Sequence, residues 1–311
     1  MSLVRLRTFM EVYRQRSISG AARALNLTQP AVSQHISGLE VAIGRPLFER
    51  LAHGVQPTAT ADDLAADIGN KLDDAESALA SARARSMDVA GTLQLIGHAD
   101  FMAEKLAGEL LPLLESGIRV HMHTGDGPVV TQMVAEGHCD LGLTAHPVTD
   151  PRLKGDVIFT DRVIAVASPA LAARLAHSND FAHDLLKEPL LAYNLELSLI
   201  DHWLDKNGMK CHGLRPALVG QDLRGLRSLL CRGFGWTVMP AFLCERQIAN
   251  GEMVKLNAPT GDTEIRYSLV WLPGALRQPR IAHAREVLLQ RLGTVRNARN
   301  GTTAITRAAQ S

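Results

Sequence analysis

The sequence predicts an α/β protein in three parts: a helix-dominated amino-terminal module, one long connecting helix, and a two-lobed α/β body. Three observations predict it. Positive charge collects at one end, where residues 1–60 hold seven Arg, no Lys and three Glu, in a chain of net charge +1. A seam of apolar residues at helical spacing follows without a proline. From about Asp88 onward, short β-like runs alternate with helical ones.

Length and composition set the frame. A chain of 311 residues fits about two domains. With 46% hydrophobic and 21% charged residues it has material for a sizeable core, which excludes disorder as its main state. The longest near-apolar stretch, Val163 to Ala173, is broken by Ser168 and Pro169 and falls short of the roughly 20 residues a membrane helix needs. Arg5 and Arg7 precede no apolar run of signal-peptide length, so a cytoplasmic protein without membrane contact is expected. Cys139, Cys211, Cys231 and Cys244 form no CxxC pair and read as small buried hydrophobes.

In the basic module, Leu6, Phe9, Met10 and Tyr13 recur at helical spacing. Ser17 can cap a second, short helix with Ala21, Ala22 and Leu25 inward, the alanines allowing a close crossing. Asn26-Leu27-Thr28 makes a turn. Thr28 then caps a third helix, with Pro30 in its first turn and Gly44 at its end. Val32, Ile36, Leu39 and Ile43 give this helix one apolar stripe, which leaves Gln29, Ser33, Gln34 and Ser37 on other faces. Two helices across a tight turn, with short hydrogen-bonding side chains opening the second, describe a helix-turn-helix. Gln reads adenine bidentately and Ser pairs with several base edges. A plain three-helix bundle with a polar surface is the alternative. Two extended pieces around Ala52-His53-Gly54 then read as a β-wing, with Arg50 and His53 near phosphate or the minor groove.

Leu6-Arg7-Thr8-Phe9, Ser17, Ala21-Ala22, Leu25, Gln29-Pro30-Ala31-Val32-Ser33, Ile36, Leu39-Glu40, Gly44, Leu47-Phe48 and Arg50 together resemble the winged helix-turn-helix of LysR-type transcriptional regulators. Two departures stand out: His53 replaces the usual basic wing residue, and Thr60-Ala61 replaces Ala-Gly after the wing. The residues expected to meet DNA are Gln29, Ser33 and Gln34 at the bases, with Arg5, Thr28, Pro30, Ser37, Arg50 and His53 around them.

From Ala59 to about Ser86, the residues Ala61, Ala65, Ile68, Leu72, Ala75, Leu79 and Ala82 form a heptad seam. One long helix packed on its own body is one reading. Self-association is the favoured one, with Ala65, Ile68, Leu72, Ala75 and Leu79 as the dimer contact, because an Ala-rich seam lets two helices approach closely. The resemblance implies the same pairing.

In the body, Leu93–Gly97, Ile118–His123 and Cys139–Thr144 read as strands, with helices over about 101–115 and 128–136. A second unit runs through strands 163–168, 189–193, 216–219 and 235–239. A strand at Ile265–Trp271 and a helix at 280–292 return the chain to the first. This is βαβ logic, hence a mainly parallel sheet, with chain crossings near 160–163 and 262–267. Leu110-Leu111-Pro112-Leu113-Leu114, the run Gly137 to Leu143 and the run Gly233 to Pro240 resemble the two-lobed, periplasmic-binding-protein-like effector domain of the same family. The expected boundaries are 1–58 for the DNA-binding module, 59–87 for the linker and 88–295 for the effector domain. Within it, lobe one is 88–161 plus 268–295 and lobe two is 162–267. A disordered tail is expected over 296–311.

Ligands of open parallel sheets bind beyond the carboxyl ends of the strands. That rule nominates His98, Ala99, Asp100, Phe101, Thr124, Asp126, His146, Asn194 and Asp222, with free helix amino termini near 101, 128, 198 and 222 for an anion. Asp100 either caps its helix or pairs with an ammonium on the effector. His98, His123 and His146 end consecutive strands, yet without paired spacing they argue against a metal; His121 and His123 read as packing. No cofactor is expected beyond a small-molecule effector. GxSxG, P-loop, GxGxxG and HExxH patterns are absent from the sequence, so no enzyme is expected. The resemblance implies double-stranded DNA, a small-molecule effector, a homodimer or homotetramer, and RNA polymerase as partners. The rival reading is a small-molecule-binding protein or enzyme with an accessory helical module.

Overall fold

A computed structural model describes residues 3–51, 54–84, 90–209 and 213–308. Ala52, His53 and Cys211 lie outside the described residues, so the expectations for His53 and Cys211 are not met by any observation. Helices α1 (Leu3–Gln15), α2 (Ile18–Leu25) and α3 (Gln29–Ile43) pack into one core around Phe9, Ala21, Val32 and Leu39. Strands β1 (Phe48–Leu51) and β2 (Gly54–Pro57) pair antiparallel as the wing. Helix α4 (Ala59–Ala84) leaves it.

The seam of α4 corrects one expectation. Ala61, Ala65 and Leu72 are buried in the core of their own amino-terminal module, with Ile68 packed against it. Gly69 brings α4 close to Met10, and a Cβ there would lie 3.2 Å from the Met10 Cε. Tyr13 donates to Asp62 at 2.8 Å, and Arg14 pairs with Asp73. A heptad period reports burial, and for half this seam the burying surface is the same chain. Ala75 and Leu79 alone of the five dimer candidates stay exposed.

The body starts with β3 (Gly91–Gly97) and α5 (Ala99–Phe101). A π turn at Met102–Leu106 and a 3-10 turn at Ala107–Leu110 then run into α6 (Leu111–Glu115). The single helix expected at 101–115 is therefore a helical run of changing pitch, broken where Gly108 and Pro112 weaken regular α-helix. Next come β4 (Ile118–Thr124), α7 (Gly127–Ala135), β5 (Leu141–Thr144) and the long β6 (Lys154–Ala167). Lobe two contains α8 (Pro169–Ala176), α9 (Phe181–Leu185), β7 (Leu191–Ala192), α10 (Ser198–Lys206), β8 (Leu218–Val219) and α11 (Leu223–Cys231). It continues with β9 (Trp236–Pro240), α12 (Glu245–Ala249) and β10 (Val254–Lys255). Then β11 (Thr263–Trp271) returns to lobe one and α13 (Pro279–Ala308) closes the fold.

The sheet order is β10-β6-β11-β5-β3-β4, with β9 also on β6. Only β3 with β4 and β5 is parallel there; β6 and β11 run antiparallel to their neighbours. The mainly parallel expectation thus gives way to a mixed sheet, because the two strands that carry the chain between lobes run in opposite directions. Their register shifts between Tyr267 and Ser268, placing a bulge where the lobes meet. Separate cores fill the lobes, around Leu95 and Leu143 in one and Trp203 and Trp236 in the other. Helix α13 runs to Ala308 instead of ending near 292, so the tail expectation is not what the backbone shows; no proline follows Pro279 to stop it. Cys139 and Cys244 are buried as expected, but Cys231 is exposed near the end of α11. No helix among the described residues is long and apolar enough to cross a membrane.

Candidate DNA interface and effector cleft

The candidate DNA interface is built by α3 and the wing. Thr28 caps α3, accepting from the Ala31 N–H at 3.4 Å, and Gly44 ends it in the left-handed region at φ 78°. Burial of Val32, Ile36 and Leu39 fixes the helix rotation, which leaves Gln29, Pro30, Gln34 and Ser37 exposed. Gln29, Ser33 and the wing's Arg50 line one groove together with Ser17 and Val55. Arg5 is exposed and donates to the Gly38 carbonyl at 3.3 Å, which draws it onto the middle of α3. Glu40 has a positioning role that residue spacing alone does not reveal. One of its oxygens accepts from the Leu47 and Phe48 amides at 2.8 and 3.3 Å, tying α3 to the wing. His35 contacts Thr8 at 2.9 Å and seats α3 on α1.

The second site is a cavity of about 380 Å³ between the lobes. His98, Asp100, Ala145, His146 and Pro147 line it from lobe one. Tyr193, Asn194, Ser198, Leu199, His202 and Leu223 line it from lobe two, and Pro240 with Glu264 to Tyr267 forms the wall where the lobes join. His98 spans the cleft. In the tautomer where its Nε2 accepts from the Ala145 N–H at 3.4 Å, its Nδ1 donates to the Tyr193 hydroxyl at 3.2 Å. The His98 and His146 rings stack at 5.5 Å. Burial pushes the His98 pKa down to about 4, with His146 adding to the shift and Asp126 opposing it. Burial raises the Asp100 carboxyl and, with Asp100, Asp126 and Asp222 nearby, lifts Tyr193 to about 12.

Of the expected effector residues, the cavity gathers His98, Asp100, His146 and Asn194. Thr124 is not among them: β4 is the edge strand and its last residue faces solvent. Phe101 is fully buried, stacked on Tyr267 at 4.1 Å, and Ala99 only turns the chain into α5. Asp126 and Asp222 cap α7 and α11 from outside the cavity wall. They fill two of the four helix starts expected to be free, and the starts of α5 and α10 carry no side-chain cap. Asp100 itself is not the N-cap, which is His98; it accepts instead from the next amide, Phe101, at 2.7 Å. His123 lies on the exposed edge strand, bonded to Gln94 at 2.8 Å, and His121 meets the same Gln94, so neither is packing. Tyr267, Glu264 and Arg266 were not signalled by strand ends, since they sit within the connecting strand β11.

A family model described as the LysR substrate binding domain matches residues 90–293. The chain belongs to the LysR family. A second model, described as the bacterial regulatory helix-turn-helix protein of the lysR family, matches residues 3–62 of this LysR-type chain. The HTH-type transcriptional regulator AbaB of Streptomyces antibioticus is 29% identical over 294 residues, spanning 93% of this chain and 97% of that protein. TrpI of Pseudomonas aeruginosa is 26% identical over 299 residues, 94% and 97% of the two. CrgA of Neisseria meningitidis, a LysR-type transcriptional regulator of known structure, shares the fold at a TM-score of 0.59 and 22% identity, over 94% of this chain and 99% of that one. This LysR-type protein is a DNA-binding transcriptional regulator with an effector-binding domain.

Proposed function

We propose that this regulator reads an operator through Gln29, Ser33 and Gln34, held to the backbone by Thr28, Ser37 and Arg50, and that a small polar metabolite in the cleft alters that reading. Closing the lobes on a ligand rotates one against the other about β6 and β11, and so changes how subunits of a dimer or tetramer pack and space their wings. The exposed stretch of α4 at Ala75 and Leu79 serves that self-association. A cytoplasmic protein acting with RNA polymerase fits this reading; the cleft is a binding site, with no catalytic step assigned to it. The observation that carries the proposal is the His98–Tyr193 contact: both lobes supply polar groups to one cavity, so a ligand there feels their relative position. The test is operator binding by the full-length protein with and without ligands that protect it from thermal unfolding. Protection that leaves both operator affinity and footprint unchanged would separate cleft from regulation and sink the proposal.

A further inference from the structure

We propose that the effector of this cleft carries a protonated amine, which the Asp100 carboxylate receives beside the rings of Tyr193 and Tyr267. The inference rests on the cleft being the effector site and names the class of ligand. Asp100 is 2% exposed and lines the cavity. A carboxylate taken out of water needs a compensating partner. One oxygen has the Phe101 N–H at 2.7 Å, and among the described residues no cationic side chain forms an ion pair with Asp100. Arg224, whose charge reaches it, is held by Asp222 through contacts of 2.9 and 2.6 Å.

The cleft offers an anion little. Two helix starts around it are already capped by Asp126 and Asp222, and Asp100 lies in the first turn of α5. His98 supplies no positive charge at neutral pH, because burial keeps its pKa near 4. The fields of the same three aspartates add at Tyr193, whose hydroxyl they and burial make harder to ionise. Arg266, on the wall of the cavity, is paired with Glu264 at 2.7 Å. A ligand carboxylate therefore meets repulsion except at the uncapped start of α10, whose Ser198 and Leu199 line the cavity, whereas an ammonium meets a buried carboxylate without an ion pair and the tyrosine rings beside it.

The test uses full-length protein and three probes on one phenylethyl frame, phenethylamine, 2-phenylethanol and 3-phenylpropanoate, titrated calorimetrically to millimolar concentration. The amine is expected to bind at least about tenfold more tightly than the alcohol, with the carboxylate weakest. Asp100→Asn keeps an oxygen for the Phe101 N–H and should erase that preference while leaving alcohol affinity in place. Should it not fold, Tyr193→Leu provides the second variant, expected to weaken the amine more than the alcohol. Asn194→Trp fills the cleft from the opposite lobe and should abolish binding of every probe. If the carboxylate binds best and Asn194→Trp removes it, the cleft stands and the amine class is overturned. Amine binding that ignores both Asp100→Asn and Asn194→Trp overturns the cleft as well. Absence of amine binding at millimolar concentration overturns the amine class.

Discussion

Leu72 and Leu79 lie two turns apart on one line of α4, yet Leu72 is 9% exposed and Leu79 is 53% exposed. Replacing each by Ala removes about three methylene-sized groups. At Leu72 these leave a packed core, at about 0.8 kcal/mol each for lost burial, and a cavity term adds to them. The expected destabilisation is about 3 kcal/mol, inside the range for buried Leu→Ala changes. For a module of this size that lowers its melting temperature by roughly 10–20 °C. Leu79→Ala removes groups already in water and should change stability by no more than about 0.5 kcal/mol. If Leu79 belongs to the contact between copies, its loss appears in the mass at sedimentation equilibrium. The assay is calorimetric unfolding of both variants alongside that mass measurement. A Leu72→Ala protein that melts like the parent but sediments as a monomer would refute the reasoning, because the whole seam would then face a second copy.

Gln29→Ala with Ser33→Ala should lose operator preference, at about 1–3 kcal/mol per lost base contact, while affinity for random DNA persists; equal loss on both, by gel shift, speaks against base reading. Glu40→Ala strips the acceptor from the Leu47 and Phe48 amides, so DNA affinity should fall several-fold, and an unchanged affinity would dissociate wing position from binding. Gly127→Ala drives a Cβ into the His146 ring and to 2.7 Å from the His146 Cβ. Ring rotation leaves the Cβ contact in place, so the backbone at His146 must also move; ligand affinity in the cleft should change and thermal stability should fall, as read by titration and circular dichroism, and a variant matching the parent in both would show that the two segments are not packed this closely. His98 titrates near 4 in the native protein against 6.5 unfolded. The unfolded chain therefore binds the extra proton between those values, and stability falls as pH drops from 6.5 toward 4, by about 3 kcal/mol in total. His98→Gln should flatten that part of the stability curve, and an unaltered slope would place the acid sensitivity elsewhere.

What was legible in the sequence follows the range of each interaction. Thr28, Pro30 and Gly44 act on their own few residues, so the start and end of α3 can be read locally, and its stripe then dictates which face Gln29 and Gln34 present. The α4 seam is also visible, but spacing says only that Leu72 is covered, not by what; the cover is the amino-terminal core, a contact across about sixty residues of chain. The same limit shapes the cleft. Strand ends point to His98, Asp100, His146 and Asn194, whereas Thr124 fails because β4 is the last strand of the sheet. Glu264 and Tyr267 escape any rule about the carboxyl ends of strands, since Glu264 lies at the start of the strand that joins the lobes and Tyr267 in its middle. The aspartates show the step between levels most clearly. Local chemistry accounts for Asp126 and Asp222 as caps of two separate helices, and each would do the same in any fold. Only the topology brings those helix starts and Asp100 close enough for three carboxylates unrelated in sequence to act together on the Tyr193 hydroxyl.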